Sequence, residues 1–211
     1  MYIGRIVAVG MTLEKKVVAM YRVSSRSFPN REARINGETV SIMPQKGFED
    51  DLSKNPYIAY NCLRIAGTCA VACNGSHTDP ISEKIASGMS VRDAMSLSLL
   101  AMDYEKDNYC TPRIAAAVDR TNNRAYLGTI KKDGLIVREF ELKPGIAYYV
   151  ATYEKDIPCA HNSDNEFKAE DAYAGCTYIL RGGVFAEFEK PVTAAAAIAS
   201  DKGFELAVSL A

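Results

Sequence analysis

Residues 68–105, TCAVACNGSHTDPISEKIASGMSVRDAMSLSLLAMDYE, change period twice, and those changes set the fold class. TCAVACN (68–74) is a short apolar run of strand length, broken by NGSH (74–77) and the adjoining TDP. DPISEKIASG (79–88) then opens with a capping aspartate and a proline and stops at Gly88, which predicts a helix. SVRDAMSLSLLAMDYE (90–105) starts on Ser90 and Asp93, a capping-box-like pair. Its apolar residues run nearly all round, which predicts a buried helix.

Strand patterns lie on both sides of this helix pair. Upstream, residues 2–9 and 16–23 read as a hairpin, and ETVSIM (38–43) and YIAYNCLRI (57–65) add two more strands before 68–74. Downstream come RIAAAVD, RAYLGTI, LIVREFEL and IAYYVATY, with turns at Asn122-Asn123 and Asp133-Gly134. A third helix near 168–181 ends at Gly182-Gly183. VTAAAAIAS and FELAVSL close the chain as a hairpin, since Pro191, Thr193 and the turn that follows favour strand over the helix that four alanines would allow. Helices segregated from blocks of antiparallel strands define an α+β class, with two packed sheets and helices outside.

The chain has 211 residues, 48% of them hydrophobic, enough for a substantial core. A net charge of −1 and a pI near 6.2 provide no basic field for nucleic acid. No apolar run approaches the roughly 20 residues of a membrane span. MYIGRIVAVGM has an arginine inside its apolar stretch and no signal-peptide pattern, so the expected location is cytoplasmic, with no membrane partner. Six cysteines sit mostly inside apolar runs and are expected to be buried and reduced. Cys69 and Cys73 have neither a second pair nor nearby histidines, and no metal site is expected.

Two stretches carry chemistry. YRVSSRSFPNREAR (21–34) gathers Arg22, Arg26, Arg31 and Arg34 with Ser24, Ser25 and Ser27. It reads as a rigid loop at a sheet's end. Guanidinium forks match phosphate or carboxylate oxygens two at a time, whereas the plainer reading is a solvated loop of surface ion pairs. DYEKDNYCTPRIAA (103–116) sets Asp103, Glu105 and Asp107 at the end of an apolar helix, where the dipole disfavours anions. A desolvated carboxylate there would have a raised pKa suited to proton transfer; alternatively Lys106 and Arg113 neutralise a wet helix end. NPYIAYN (55–61) and NGSHTD (74–79) add phenols, amides and His77 around strand ends.

MYIGR, YRVSSRSFPNR, NPYIAYNC, NGSHTD, AMDYEKD with TPRIAA, and PVTAAAA, in that order, resemble the archaeal-type IMP cyclohydrolase family over essentially the whole chain. The resemblance implies a single domain, 1–211, with the four-layer αββα sandwich of N-terminal-nucleophile (Ntn) hydrolases. The chain begins Met1-Tyr2 and so lacks their N-terminal Cys, Ser or Thr. The implied reaction is closure of 5-formamidoimidazole-4-carboxamide ribotide (FAICAR) to IMP with loss of water, the last step of de novo purine synthesis, without metal or organic cofactor. Arg31 and Glu105 match the family's catalytic pair, Arg31 assigned to the carboxamide oxygen and Glu105 to proton transfer. Residue chemistry then assigns Tyr57, Tyr60 and Asn61 to the base, and Ser24, Ser25, Arg26 and Ser27 to the 5′-phosphate, with Asn74, Ser76 and His77 lining the pocket. FAICAR, IMP and AICAR are the implied ligands, and a homo-oligomer is compatible with the sequence. The rival readings are an Ntn-like amidohydrolase with an internal nucleophile (Cys62, Cys69 or Ser25) and a non-catalytic purine-nucleotide-binding protein.

Overall fold

A computed structural model describes all 211 residues. The first strands are β1 (Ile6–Met11), β2 (Val17–Ser24), β3 (Arg31–Asn36) and β4 (Thr39–Pro44), followed by a short helix α1 (Asp51–Lys54) and a 3-10 turn at Pro56–Ile58. β5 (Tyr60–Ala66) and β6 (Cys69–Cys73) lead into helices α2 (Thr78–Ala86) and α3 (Val91–Met102). β7 (Arg113–Asp119), β8 (Arg124–Lys131), β9 (Gly134–Glu141), β10 (Ala147–Ala151) and β11 (Ser163–Asp164) precede α4 (Ala172–Arg181). A second 3-10 turn, Gly183–Glu187, comes before β12 (Pro191–Ser200) and β13 (Gly203–Leu210).

Two antiparallel sheets result. One is the sequential meander β3-β4-β5-β6-β7-β8-β9, and the other runs β11-β10-β1-β2-β12-β13. Period-two alternation assigns each strand's side chains to one of two faces. Val7, Val9, Tyr21, Ala70, Ala72, Ile114, Ala116, Ala195 and Ala197 meet between the sheets in a core of 27 buried residues. The opposite faces pack on helices. Ile6, Ala8, Met20, Ala194 and Ala196 meet α4, while Val71, Cys73, Ala115 and Ala117 meet α2 and α3. The layers are therefore helix, sheet, sheet, helix, the sandwich expected. The alanines of β12 are extended because both neighbours, β2 and β13, hydrogen-bond it, and tertiary pairing overrides helix propensity. α3 sits close on β8 because residue 128 is glycine; a Cβ there would lie 2.6 Å from Met95 Sδ.

Arg22 joins the second sheet to the end of α4. It is fully buried and donates to the carbonyls of Ile179, Leu180, Phe185, Phe188 and Glu189, while its Nε donates to Ser24 Oγ at 2.9 Å. Without a carboxylate partner, burial pulls its pKa down to about 10. It neutralises carbonyls that a helix end leaves without partners.

Several boundaries differ from those the sequence suggests. The arginine loop covers only residues 25–30, because β3 starts at Arg31 and pairs with β4. Residues 56–58 form a 3-10 turn, their start set by Asn55 Oδ1 accepting from Tyr57 N at 2.8 Å. α2 starts at Thr78, so Asp79 lies inside its first turn and accepts from Asn61 and Arg64. α3 is capped by Ser90 as expected, but it ends at Met102 and leaves Leu97 and Leu100 48% and 62% exposed, so it lies on the sheet rather than inside a core. α4 starts at Ala172, where Asp171 accepts from Ala174 N.

Candidate active site

The loop 25–30 is the crossing from the second sheet to the meander, so it lies over one end of the inter-sheet core. Three inward-facing chains end there. Tyr21 on β2 and Tyr60 on β5 reach across the seam and share a 2.6 Å hydroxyl–hydroxyl hydrogen bond. Arg31 opens β3 on the same face as buried Ala33 and is itself 3% exposed. Its Nε donates to Phe28 O at 3.1 Å, and no protein acceptor takes its two terminal nitrogens. Burial raises the Tyr60 pKa, and the charges of Arg31 and Arg5 pull it back.

Arg5 immediately precedes β1. Gly4 sets its course: φ is +74°, and a Cβ would fall 2.0 Å from Thr152 Oγ1, the atom that accepts the Arg5 amide. Only glycine fits that approach. Arg5 Nη2 then reaches Glu105 Oε2 at 3.2 Å, while Arg5 Nε is buried without a partner.

Glu105 lies in the loop beyond α3 and is 1% exposed. Two non-glycine residues of this loop have left-handed φ, Asp103 at +56° and Cys110 at +49°. Such conformations cost about 1–3 kcal/mol each and persist only where the surroundings impose them. Here Asp107 accepts from Tyr109 N, Thr111 N and Thr111 Oγ1, Glu105 N donates to Thr111 O at 2.9 Å, and Arg113 Nε donates to Asp103 O at 2.8 Å. The carboxylate so held has one oxygen on Arg5. The other, Oε1, is 3.8 Å from Arg113 Nη1 and has no hydrogen-bond partner. Burial raises the Glu105 pKa above the ordinary carboxylate value, against the pull of Arg5 and Arg113. The wet helix end is thus excluded for Glu105: Lys106 pairs with Asp103 at the surface, and the glutamate is dry.

Two adjoining cavities meet at these groups. The outer, about 390 Å³, is lined by Tyr2, Arg5, Ser25, Arg26, Ser27, Phe28, Asn55, Asp107, Tyr109 and Tyr153. The inner, about 60 Å³, is lined by Tyr57, Tyr60, Ser76, Glu105 and Arg113 with Pro56, Ala59 and Gly75. Arg5 borders the outer cavity and binds the acid of the inner one, so it forms the partition between them. The outer mouth has mixed hydroxyl, aromatic and cationic character, with Arg26 stacked over the Tyr2 ring at 4.2 Å, and the inner recess presents two phenols, a hydroxyl, a carboxylate and a guanidinium.

Of the residues singled out in the sequence, Ser25, Arg26 and Ser27 line the outer cavity, Tyr57, Tyr60, Ser76 and Glu105 the inner, and Arg31 stands beside Tyr60. Arg31 itself lines neither cavity, and four others border neither and turn away from the cleft. Ser24 points toward α4 and accepts from Arg22. Asn61 donates to Asp79 and accepts from Ser41. Asn74 is fully buried, bonding Pro112 O and Ile114 N. His77 is fully buried with Nε2 on Ile114 O, and burial lowers its pKa to about 3, so it is neutral at physiological pH. These four brace strand ends. The cysteines are free; Cys62 and Cys69 are buried with thiols pushed up, Cys69 to about 11, and neither borders the cleft. Ser25 Oγ accepts from Phe28 N with no base beside it. Arg5 and Tyr21 are the groups sequence reasoning missed, while Arg113, read there as a neutralising cation at a wet helix end, is buried 3.8 Å from Glu105 Oε1. The signal for Arg5 was there: a cation inside an apolar run immediately after glycine.

The sequence matches the family described as IMP cyclohydrolase-like protein over residues 2–203. It is 46% identical to the IMP cyclohydrolase of Methanosphaera stadtmanae over 202 residues, 96% of each chain. It is 48% identical to that of Methanocella arvoryzae over 209 residues, 99% of this chain and 98% of the relative. Against that of Methanocaldococcus jannaschii it is 44% identical over 208 residues, 98% of each.

Proposed function

The chain belongs to the IMP cyclohydrolase family, and on that premise we propose that it closes FAICAR to IMP at the junction of the two cavities. The observation that carries this reading is a guanidinium with both terminal nitrogens free and a dry carboxylate on either side of one phenol: Arg31 lies beside Tyr60, and Glu105 borders the recess that Tyr60 lines.

The substrate supplies its own nucleophile. As the carboxamide nitrogen approaches the formyl carbon, negative charge gathers on the carboxamide oxygen, where the Arg31 fork stabilises it. Glu105 Oε1 takes the nitrogen's proton. The new N–C bond leaves an alkoxide on the former formyl carbon, which takes that proton back from Glu105 and becomes a hydroxyl. Glu105 then accepts the proton of the formamido nitrogen and passes it to the hydroxyl, which departs as water as the C=N bond forms. Arg5 and Arg113 hold the carboxylate so that one oxygen remains available. Tyr57 and Tyr60 face the flat base, and Ser25, Arg26 and Ser27 receive the 5′-phosphate. FAICAR, AICAR and IMP share that ribotide and dock alike. Because both groups already sit on one ring, the substrate itself carries most of the roughly 7–11 kcal/mol that good intramolecular reactions gain, and orientation by the site adds only a smaller part. The chemistry asks for no metal or organic cofactor, and the enzyme sits with its substrates in the cytoplasm.

Incubation of the purified protein with FAICAR, without metal or folate, tests the reading: IMP appears as the purine absorbance grows. Tight IMP binding with FAICAR left intact would reduce the protein to a nucleotide binder.

A further inference from the structure

The inter-sheet core is open along one side. There β13, the edge of one sheet, stacks against β3, the edge of the other. Phe204, Leu206 and Val208 pack on the 27-residue core yet are only partly buried, and Ile35, two residues beyond buried Ala33 on β3, is 45% exposed. Edges of this kind are usually blunted by brevity, charge, proline or a bulge. The other three are: β11 has two residues, β9 carries Arg138, Glu139 and Glu141, and β3 carries Glu32 and Arg34. β13 has eight residues, one charge (Glu205), no proline, and an unbroken register with β12.

The hydrogen-bond phase of that ladder fixes which groups are free. Ala211 N donates to Val192 O at 3.1 Å, and Thr193 lies opposite Leu210, so the odd-numbered residues of β13 bond inward to β12. The amides and carbonyls of Phe204, Leu206, Val208 and Leu210 therefore point away from the sheet.

We infer that β13 pairs antiparallel with β13 of a second copy of this chain, about a two-fold axis through Ala207, so that two sheets become one. The occupant follows from self-complementarity. About that axis Leu206 meets Val208 of the partner subunit, Phe204 meets Leu210 of the partner subunit, and Glu205 meets Ser209 of the partner subunit. No like charges oppose, every outward amide finds an outward carbonyl, and the half-exposed apolar row is covered. The inference is independent of the catalytic reading.

Light scattering tests it first. The wild-type protein is expected at no less than twice its 23.1 kDa chain mass. Val208→Pro removes an outward N–H while leaving the β12 ladder intact, as edge prolines do. It is expected to halve the assembly mass with the far-UV circular dichroism unchanged. In the wild type, the Leu206 and Val208 amides are expected to gain exchange protection as concentration rises. A monomer up to ~100 μM would overturn the proposal by mass action. So would an assembly in which those two amides exchange freely, whether or not the proline variant folds, or one whose mass a folded Val208→Pro leaves unchanged.

Discussion

Replacing Arg5 by methionine keeps an unbranched apolar stem and removes the one hydrogen bond to the Glu105 carboxylate, the 3.2 Å contact with Oε2. Arg113 remains, 3.8 Å from the other oxygen. Glu105 is 1% exposed and burial already holds its pKa above the ordinary value, with Arg5 as the strongest opposing pull. Loss of a neighbouring cation raises a carboxylate by about 1–3 units, equivalent to ~1.4–4 kcal/mol between its two protonation states. In the variant the folded chain would hold this proton more tightly than the unfolded chain does. Stability is then fully present at low pH and lost as pH rises from the unfolded value, about 4.3, through the raised folded one. The deficit of Arg5→Met against wild type should be small near pH 4 and grow to about 1.4–4 kcal/mol at neutral pH and above. Urea midpoints from about pH 4 to 9 measure it, in both the wild-type and Glu105→Gln backgrounds. In the glutamine background the pH-dependent part should vanish, because no charge remains to strand. The acidic limb of kcat/KM should move upward with the same pKa. A deficit that is flat with pH, or equal in both backgrounds, would refute the partition role of Arg5.

Glu105→Gln itself should keep IMP affinity while kcat falls by about 10²–10⁴-fold, the usual worth of a positioned acid/base; near-normal turnover removes Glu105 from the reaction. Arg31→Lys keeps the charge and loses the fork, so kcat should drop ~10-fold or more; steady-state kinetics with FAICAR decide it, and an unchanged rate makes Arg31 structural. Arg26→Ala should weaken IMP much more than inosine in titration calorimetry, and equal losses would end the phosphate assignment. Arg22→Met removes the guanidinium that serves five carbonyls and strands four of them, since Phe185 O also accepts from Phe188 N. At ~1–3 kcal/mol for a buried group left unsatisfied, thermal unfolding should show a loss of about 3 kcal/mol or more; a loss below about 1 kcal/mol would mean that water replaces it.

Local order along the chain was enough for the class of the fold. Each strand of the meander pairs with the next along the chain, joined by a turn, by the helix pair or, between β4 and β5, by the segment that holds α1 and the 3-10 turn, so hydrophobic period and turn residues announce it. The other sheet sets β12 between β2 and β13 and brings β10 beside β1, pairings between distant segments that no local pattern encodes. The site divides along the same line. Residue pattern left both the arginine stretch and the acids beyond the helix open between a site and a neutralised surface, and only the family resemblance singled out Arg31 and Glu105 as the proposed pair. Arg5 could not be tied to Glu105, 100 residues away, before the fold placed its guanidinium there.

Polar residues at strand ends show why composition alone misassigns partners. Tyr60 and Asn61 are adjacent in sequence, yet one faces the seam and borders the recess while the other turns to α2 and binds Asp79. A strand alternates faces at every residue, so a side chain's destination depends on register, and register is settled by which strands pair. Composition and period therefore determined that this chain builds sheets and helices around a large apolar core and gathers four arginines within residues 21–34. Tertiary pairing alone decided which polar groups look into the cleft, because only packing two sheets face to face gives each strand an inside and an outside.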